Sequence, residues 1–127
     1  MNFGFQRVIA WQKAHDFVLT VYRMTKNFPE DEKFGLTSQF RRAAVSIESN
    51  IAEGYKKLSK ADKLRFFNIA QGSLEECRDY IILSLDLNYI TEMEYNELCT
   101  QSEYASRMIN SYCEGIIKNN AIKNDTI

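Results

Sequence analysis

Seven cations crowd one stretch of this 127-residue chain: Arg41, Arg42, Lys56, Lys57, Lys60, Lys63 and Arg65. Only Glu48, Glu53 and Asp62 oppose them between Leu36 and Arg65, a local balance of +4. Long exposed cations suit phosphate oxygens, which position a nucleic acid without reading its sequence. Arg41, Lys56, Lys57, Lys60, Lys63 and Arg65 are therefore the candidate contacts to RNA or DNA. From Phe66 to Ile117 the sign reverses, with two cations against nine acids and a balance of −7. The chain as a whole carries −1. That argues against strong non-specific binding, and the same lysines also read as the solvated surface of a helix–helix turn.

A second constellation has helical spacing. Leu36, Phe40, Ala43, Ala44, Ile47, Ile51 and Tyr55 recur at steps of three and four, one apolar face of a helix. Beside them run Gln39, Arg42, Ser46, Asn50, Glu53 and Lys57. Such a polar line faces water or pairs inside an interface. Arg42, Ser46, Asn50 and Glu53 are read as groups that fix the register between subunits, with Arg42 answered by a carboxylate such as Glu53 of another copy. Among the aromatics, Tyr55, Tyr89 and Tyr95 lie near helix ends and are the candidates for stacking on bases; the rest fall mostly on inner stripes.

Nothing points to catalysis, and the expectation is a protein without enzymatic activity, metal or cofactor. A di-iron bundle needs Glu-x-x-His pairs, whereas the one histidine, His15, has Gln12 three residues earlier. Cys77, Cys99 and Cys113 fit no zinc spacing and read as buried reduced thiols. There is no glycine-rich phosphate loop, and Ser46 has no base one turn away.

The elements that must carry these residues are helical. The spacing predicts helices over 10–27, 36–57, 60–87 and 92–118, forming one domain over 1–119 with a frayed tail at 120–127. Phe28-Pro29 ends the first, because the residue before proline leaves the helical region. Thr37 or Ser38 is expected to cap the second and Gly54 to stop it. Ser59 with Asp62, and Thr91 with Glu94, have the spacing of capping boxes. Short links between amphipathic helices imply an all-α, antiparallel up-down-up-down four-helix bundle. The 60–87 helix has two apolar stripes. Phe67, Ala70, Leu74, Cys77, Ile81 and Leu85 suit the core. Phe66, Ile69, Tyr80, Leu83 and Leu87, running on to Ile90, suit a contact with a second copy. A homo-oligomer is expected on that ground.

Composition agrees: 45% hydrophobic and 26% charged residues describe a globular chain. No apolar run approaches the ~20 residues that span a bilayer. Met1 to Arg7 lack the pattern of a secretory signal, so the expected location is cytoplasmic, without a membrane partner.

The runs Gln39-Phe40-Arg41-Arg42-Ala43-Ala44-Val45-Ser46-Ile47 and Asn50-Ile51-Ala52-Glu53-Gly54 resemble a family of small bacterial four-helix bundles. Its members are encoded by intervening sequences of 23S ribosomal RNA genes. Trp11-Gln12-Lys13-Ala14, Phe28-Pro29, Gly35-Leu36 and Ile69-Ala70-Gln71-Gly72-Ser73-Leu74-Glu75-Glu76 extend the resemblance over about Trp11 to Met108. The family usually has proline where this chain has Glu48, so an unkinked second helix is expected. The family is similar in turn to the accessory variability protein of diversity-generating retroelements, a basic pentamer that binds nucleic acid. The resemblance implies a homopentamer and brings no catalytic site. Two functions stay open: a nucleic-acid-binding oligomer, or an interaction scaffold such as an accessory subunit of a nucleic-acid enzyme.

Overall fold

A computed structural model describes residues 2–126, with side chains through 119. Four helices follow two short 3-10 turns, Gly4–Arg7 and Glu30–Glu32: α1 (Ile9–Thr25), α2 (Leu36–Lys56), α3 (Lys60–Asp86) and α4 (Glu92–Thr126). Each packs against its neighbours in the chain, and α1 closes the ring against α4, with no backbone approach across either diagonal among the described residues. The result is the antiparallel four-helix bundle that four amphipathic segments and short links imply. No described helix is long and apolar enough to cross a membrane.

The core is the sum of the inner stripes. Phe17, Phe40, Ile47, Ile51, Phe67, Leu74, Ile81, Leu98 and Ile109 are fully enclosed. On α1, Phe17 and Met24 are buried, whereas Tyr22 is exposed. The second apolar stripe of α3 divides. Phe66 and Tyr80 are half-buried and Ile90 is buried, whereas Ile69, Leu83 and Leu87 stand 43%, 41% and 43% exposed.

The helix ends explain where α2 sits. Neither Thr37 nor Ser38 caps it; the N-cap is Gly35, which offers no side chain. Glu32 takes that part instead, its Oε1 accepting from the Leu36 N–H at 3.1 Å, because the Glu30–Glu32 turn carries that carboxylate back over the first turn. Gly54 does not stop α2 either, since no glycine has positive φ and the helix continues to Lys56. It is buried where α3 passes closest: a Cβ there would lie 3.0 Å from Phe66 Cβ and 3.5 Å from the Lys63 carbonyl oxygen. Glycine is needed for the approach, not for a turn.

The other caps match their sequence spacing. Ser59 Oγ accepts from the Asp62 N–H at 3.1 Å. At α4, Thr91 Oγ1 accepts from Glu94 N–H and Glu94 Oε1 from Thr91 N–H, at 3.1 and 2.9 Å. Between α3 and α4, Asn88 takes φ 62°, a left-handed conformation that asparagine tolerates better than most residues. The first helix ends at Thr25 rather than 27, and α4 runs past 118 to Thr126. The tail expected to fray, 120–127, lies outside the residues whose side chains are described. Cys77 is buried as expected, but Cys99 and Cys113 are only half-buried; all three are free thiols. Burial pushes the Cys77 and Cys113 thiols up, keeping them protonated.

Candidate nucleic-acid and assembly surfaces

Antiparallel packing gathers charge by end. The α2–α3 turn lies beside the start of α1 and the C-terminal half of α4, so Arg7, Lys56, Lys57, Lys60, Lys63, Arg65 and Lys118 share one end with Glu53, Asp62 and Glu114. The opposite end carries Glu30, Asp31, Glu32, Asp86, Glu92, Glu94 and Glu97 against Arg23, Lys26 and Lys33. The excess at each end is equal and opposite, so the sequence polarity becomes an axial one.

At the cationic end the side chains differ in freedom. Lys63 Nζ donates to the Tyr55 carbonyl at 2.6 Å and the Gly54 carbonyl at 3.4 Å, closing the C-terminus of α2. Burial lowers its pKa. Lys57 and Arg65 both approach the Phe66 ring, 4.9 and 4.8 Å from its centre, and Arg65 leans to Asp62 at 3.8 Å. Lys56 and Lys60 have no ion-pair partner among the described residues.

Arg41 is not part of this group. It lies fifteen residues before Lys56 on α2, ~22 Å away at 1.5 Å per residue. Its Nε donates to Thr25 Oγ1 at 2.8 Å and its Nη2 to the Tyr22 carbonyl at 3.3 Å. The guanidinium rests 4.6 Å from the Tyr22 ring centre, so it pins α2 to α1. Tyr89 and Tyr95 sit at the acidic end. Tyr89 donates its hydroxyl to Glu32 at 2.8 Å, which raises its pKa; a hydrogen bond with Cys99 is the main reason that of Tyr95 is raised. Of the three stacking candidates only Tyr55 stands among the cations, with Lys63 Nζ 5.7 Å from its ring centre.

The polar line of α2 faces α3. Ser46 Oγ and Ser73 Oγ share a hydrogen bond of 2.8 Å, and Asn50 Nδ2 donates back to the Ser46 carbonyl and Oγ at 2.8 and 3.0 Å. Tyr80 donates to Glu76 at 2.7 Å and lies 3.2 Å from Gln39 Oε1. Ser73 and Glu76 were not among the sequence candidates, although both fall on the same face of α3 as Tyr80. Arg42 and Glu53 are exposed and have no ion-pair partner among the described residues. A shallow groove lined by Gln39, Arg42, Ser46, Ser73, Glu76 and Tyr80 follows the seam.

The 23S rRNA-intervening sequence protein family matches residues 6–111, most of the chain. The chain belongs to that family. A solved relative is a protein of unknown function of the S23 ribosomal protein family from Bacteroides thetaiotaomicron VPI-5482, determined at 1.70 Å. The two are 23% identical, with a TM-score of 0.76 over 84% of this chain and 96% of the other. That likeness speaks for the fold. The comparison with curated proteins gives no match.

Glu48 sits in an unbroken α2 and holds His15 Nδ1 at 2.8 Å, so the second helix is unkinked as expected. His15 stacks on Trp11, ring centres 4.7 Å apart. Its part in the α1–α2 contact was not evident from spacing, since the two residues are 33 positions apart.

Proposed function

We propose that this family member is a non-catalytic homo-oligomer that holds the phosphate backbone of RNA or DNA with the cationic ends of its bundles. The observation that carries the reading is the axial separation of charge. In a cyclic assembly with parallel bundle axes, every cationic end faces the same way. Phosphate contacts then accumulate across subunits, each releasing counterions. Support for the oligomer comes from α3: Ile69, Leu83 and Leu87 are exposed on the same flank as Arg42 and Glu53, which have no ion-pair partner among the described residues, and a second copy can cover that flank. A pentamer is what the resemblance to the retroelement accessory protein implies.

The test is fluorescence anisotropy with labelled RNA and DNA at about 50 mM salt. Replacing Lys56, Lys57 and Lys60 by glutamine should weaken binding without altering sedimentation; Lys63 is left intact because it closes α2. If those three lysines are the phosphate contacts of one subunit, raising salt from 50 to 200 mM costs about 40-fold per subunit engaged. Absence of binding to either polymer at 50 mM overturns the reading. The second reading, an interaction scaffold, then has the advantage, since the α2–α3 flank supports it independently of any nucleic acid.

A further inference from the structure

The cationic end also contains a hollow of about 540 Å³ between the N-terminal turn, α1 and α4. Its lining includes apolar Val8, Met108 and Ile116 together with Tyr55, Ser111, Tyr112 and Arg7. Two glycines shape it. A Cβ on Gly4 would lie 2.6 Å from Tyr55 Oη, so any side chain there would displace that ring. A Cβ on Gly115 would meet nothing within 4 Å, which leaves one wall open. Tyr112 is braced from behind by Phe67, with ring centres 4.9 Å apart. Lys63 Nζ, 5.7 Å from the ring centre of Tyr55, links the hollow to the cation group.

A lining that mixes apolar and aromatic side chains with hydroxyl-bearing ones and an arginine, beside the cation group, matches a flat heterocycle carrying a phosphate. The volume lies within the range of small-ligand pockets. We infer that the hollow receives an unstacked nucleobase while the neighbouring cations hold its phosphates, which makes single-stranded RNA or DNA the preferred ligand. The inference rests on the phosphate-binding reading above and adds the class of nucleic acid. A duplex keeps its bases inside the stack and offers the protein only its backbone, whereas single strands can splay a base into a slot.

The experiment compares a labelled single-stranded 12-mer, the same 12-mer as a duplex, and a single strand with abasic sites, each titrated with the full chain and with Gly115→Leu at about 50 mM salt. The wild-type protein should bind the intact single strand about tenfold more tightly than either other ligand. Gly115→Leu should abolish that preference and leave duplex affinity unchanged, with thermal melting as the check on its fold. The abasic strand tests the same point without altering the protein. Equal wild-type affinity for single strand, abasic strand and duplex overturns the base slot while leaving the phosphate grip standing; so does a preference that survives Gly115→Leu. Failure to bind any of the three overturns the phosphate grip, and the slot with it.

Discussion

Helix α2 carries polar groups on both sides of its apolar stripe, and the two sides meet different fates. On the side facing α1, Arg41 bonds to Thr25 and Tyr22, and Glu48 bonds to His15. Those charges find partners within the chain. On the side facing α3, hydroxyl and amide groups pair among themselves, but the two charges, Arg42 and Glu53, are exposed and have no ion-pair partner among the described residues. Apolar Ile69, Leu83 and Leu87 lie exposed along the same flank. The spacing is alike on both sides, so spacing does not separate them. What separates them is the neighbour: α1 presents an imidazole, a hydroxyl and a carbonyl to the charges of α2, whereas the one carboxylate that α3 brings to the seam, Glu76, accepts from Tyr80 and makes no ion pair with Arg42. A flank closed within the chain contributes to monomer stability; one left open is available to another subunit.

The largest expected effect tests the open side. Leu83→Glu puts a carboxylate where a second copy would bury apolar surface. It should cost association about 3 kcal/mol or more, over a hundredfold in the constant. Because Leu83 is 41% exposed in the single chain, thermal melting of the monomer should scarcely move. Arg42→Ala should behave alike, with a smaller loss of assembly. Analytical ultracentrifugation at micromolar concentration reads both. A wild-type monomer there removes the comparison's second half, and the exposed leucines then need some other partner.

The closed side should respond in the opposite way. Arg41→Ala removes two hydrogen bonds and the contact with the Tyr22 ring, and leaves Thr25 Oγ1 with only its own helix's carbonyls as partners. The expected cost is about 1–3 kcal/mol of monomer stability, read from a urea midpoint, with no shift in sedimentation once both proteins are folded. An unchanged midpoint would show that the α1–α2 bonds are replaced by water at no loss. The paired substitutions thus separate folding from assembly on one helix.

Much of this fold is legible in the residue pattern alone. Apolar spacing locates four helices and most of their ends to within two residues, and Thr91 with Glu94 marks the start of α4 outright. What escapes are bonds that form only after packing. Glu32 reaches the first turn of α2 because a 3-10 turn redirects it, so a local search favours Thr37 and Ser38. Gly54 resembles a stop, and its real role depends on Phe66 crossing beside it. Arg41 and Arg42 are adjacent in sequence and about 100° apart around the helix, which sends one to α1 and the other to the open flank. The axial charge separation, by contrast, follows from the order of charges once they are laid on antiparallel helices. The base slot has no such signal: Gly4, Tyr55 and Gly115 are far apart in the chain and mean little singly.

The smallest effect concerns a phenol on the open flank. Tyr80 donates to Glu76 at 2.7 Å. That bond above all, then partial burial and the nearby charges of Glu76 and Asp79, pushes its pKa up from 10.0 to about 12. A raised pKa means that the folded state favours the neutral, donating form. The contribution is therefore complete below pH 10, the unfolded value, and disappears as pH rises through about 12. Tyr80→Phe has no such group to lose. The urea midpoint of the wild-type protein should fall more than that of Tyr80→Phe between about pH 10 and 12, with the two variants converging at the alkaline end. The other tyrosines titrate in both proteins and cancel in the difference. Identical alkaline losses would mean that water satisfies Glu76 as well as the phenol does. The small polar bonds on this flank would then add nothing to the single chain, leaving assembly as the place where the flank acts.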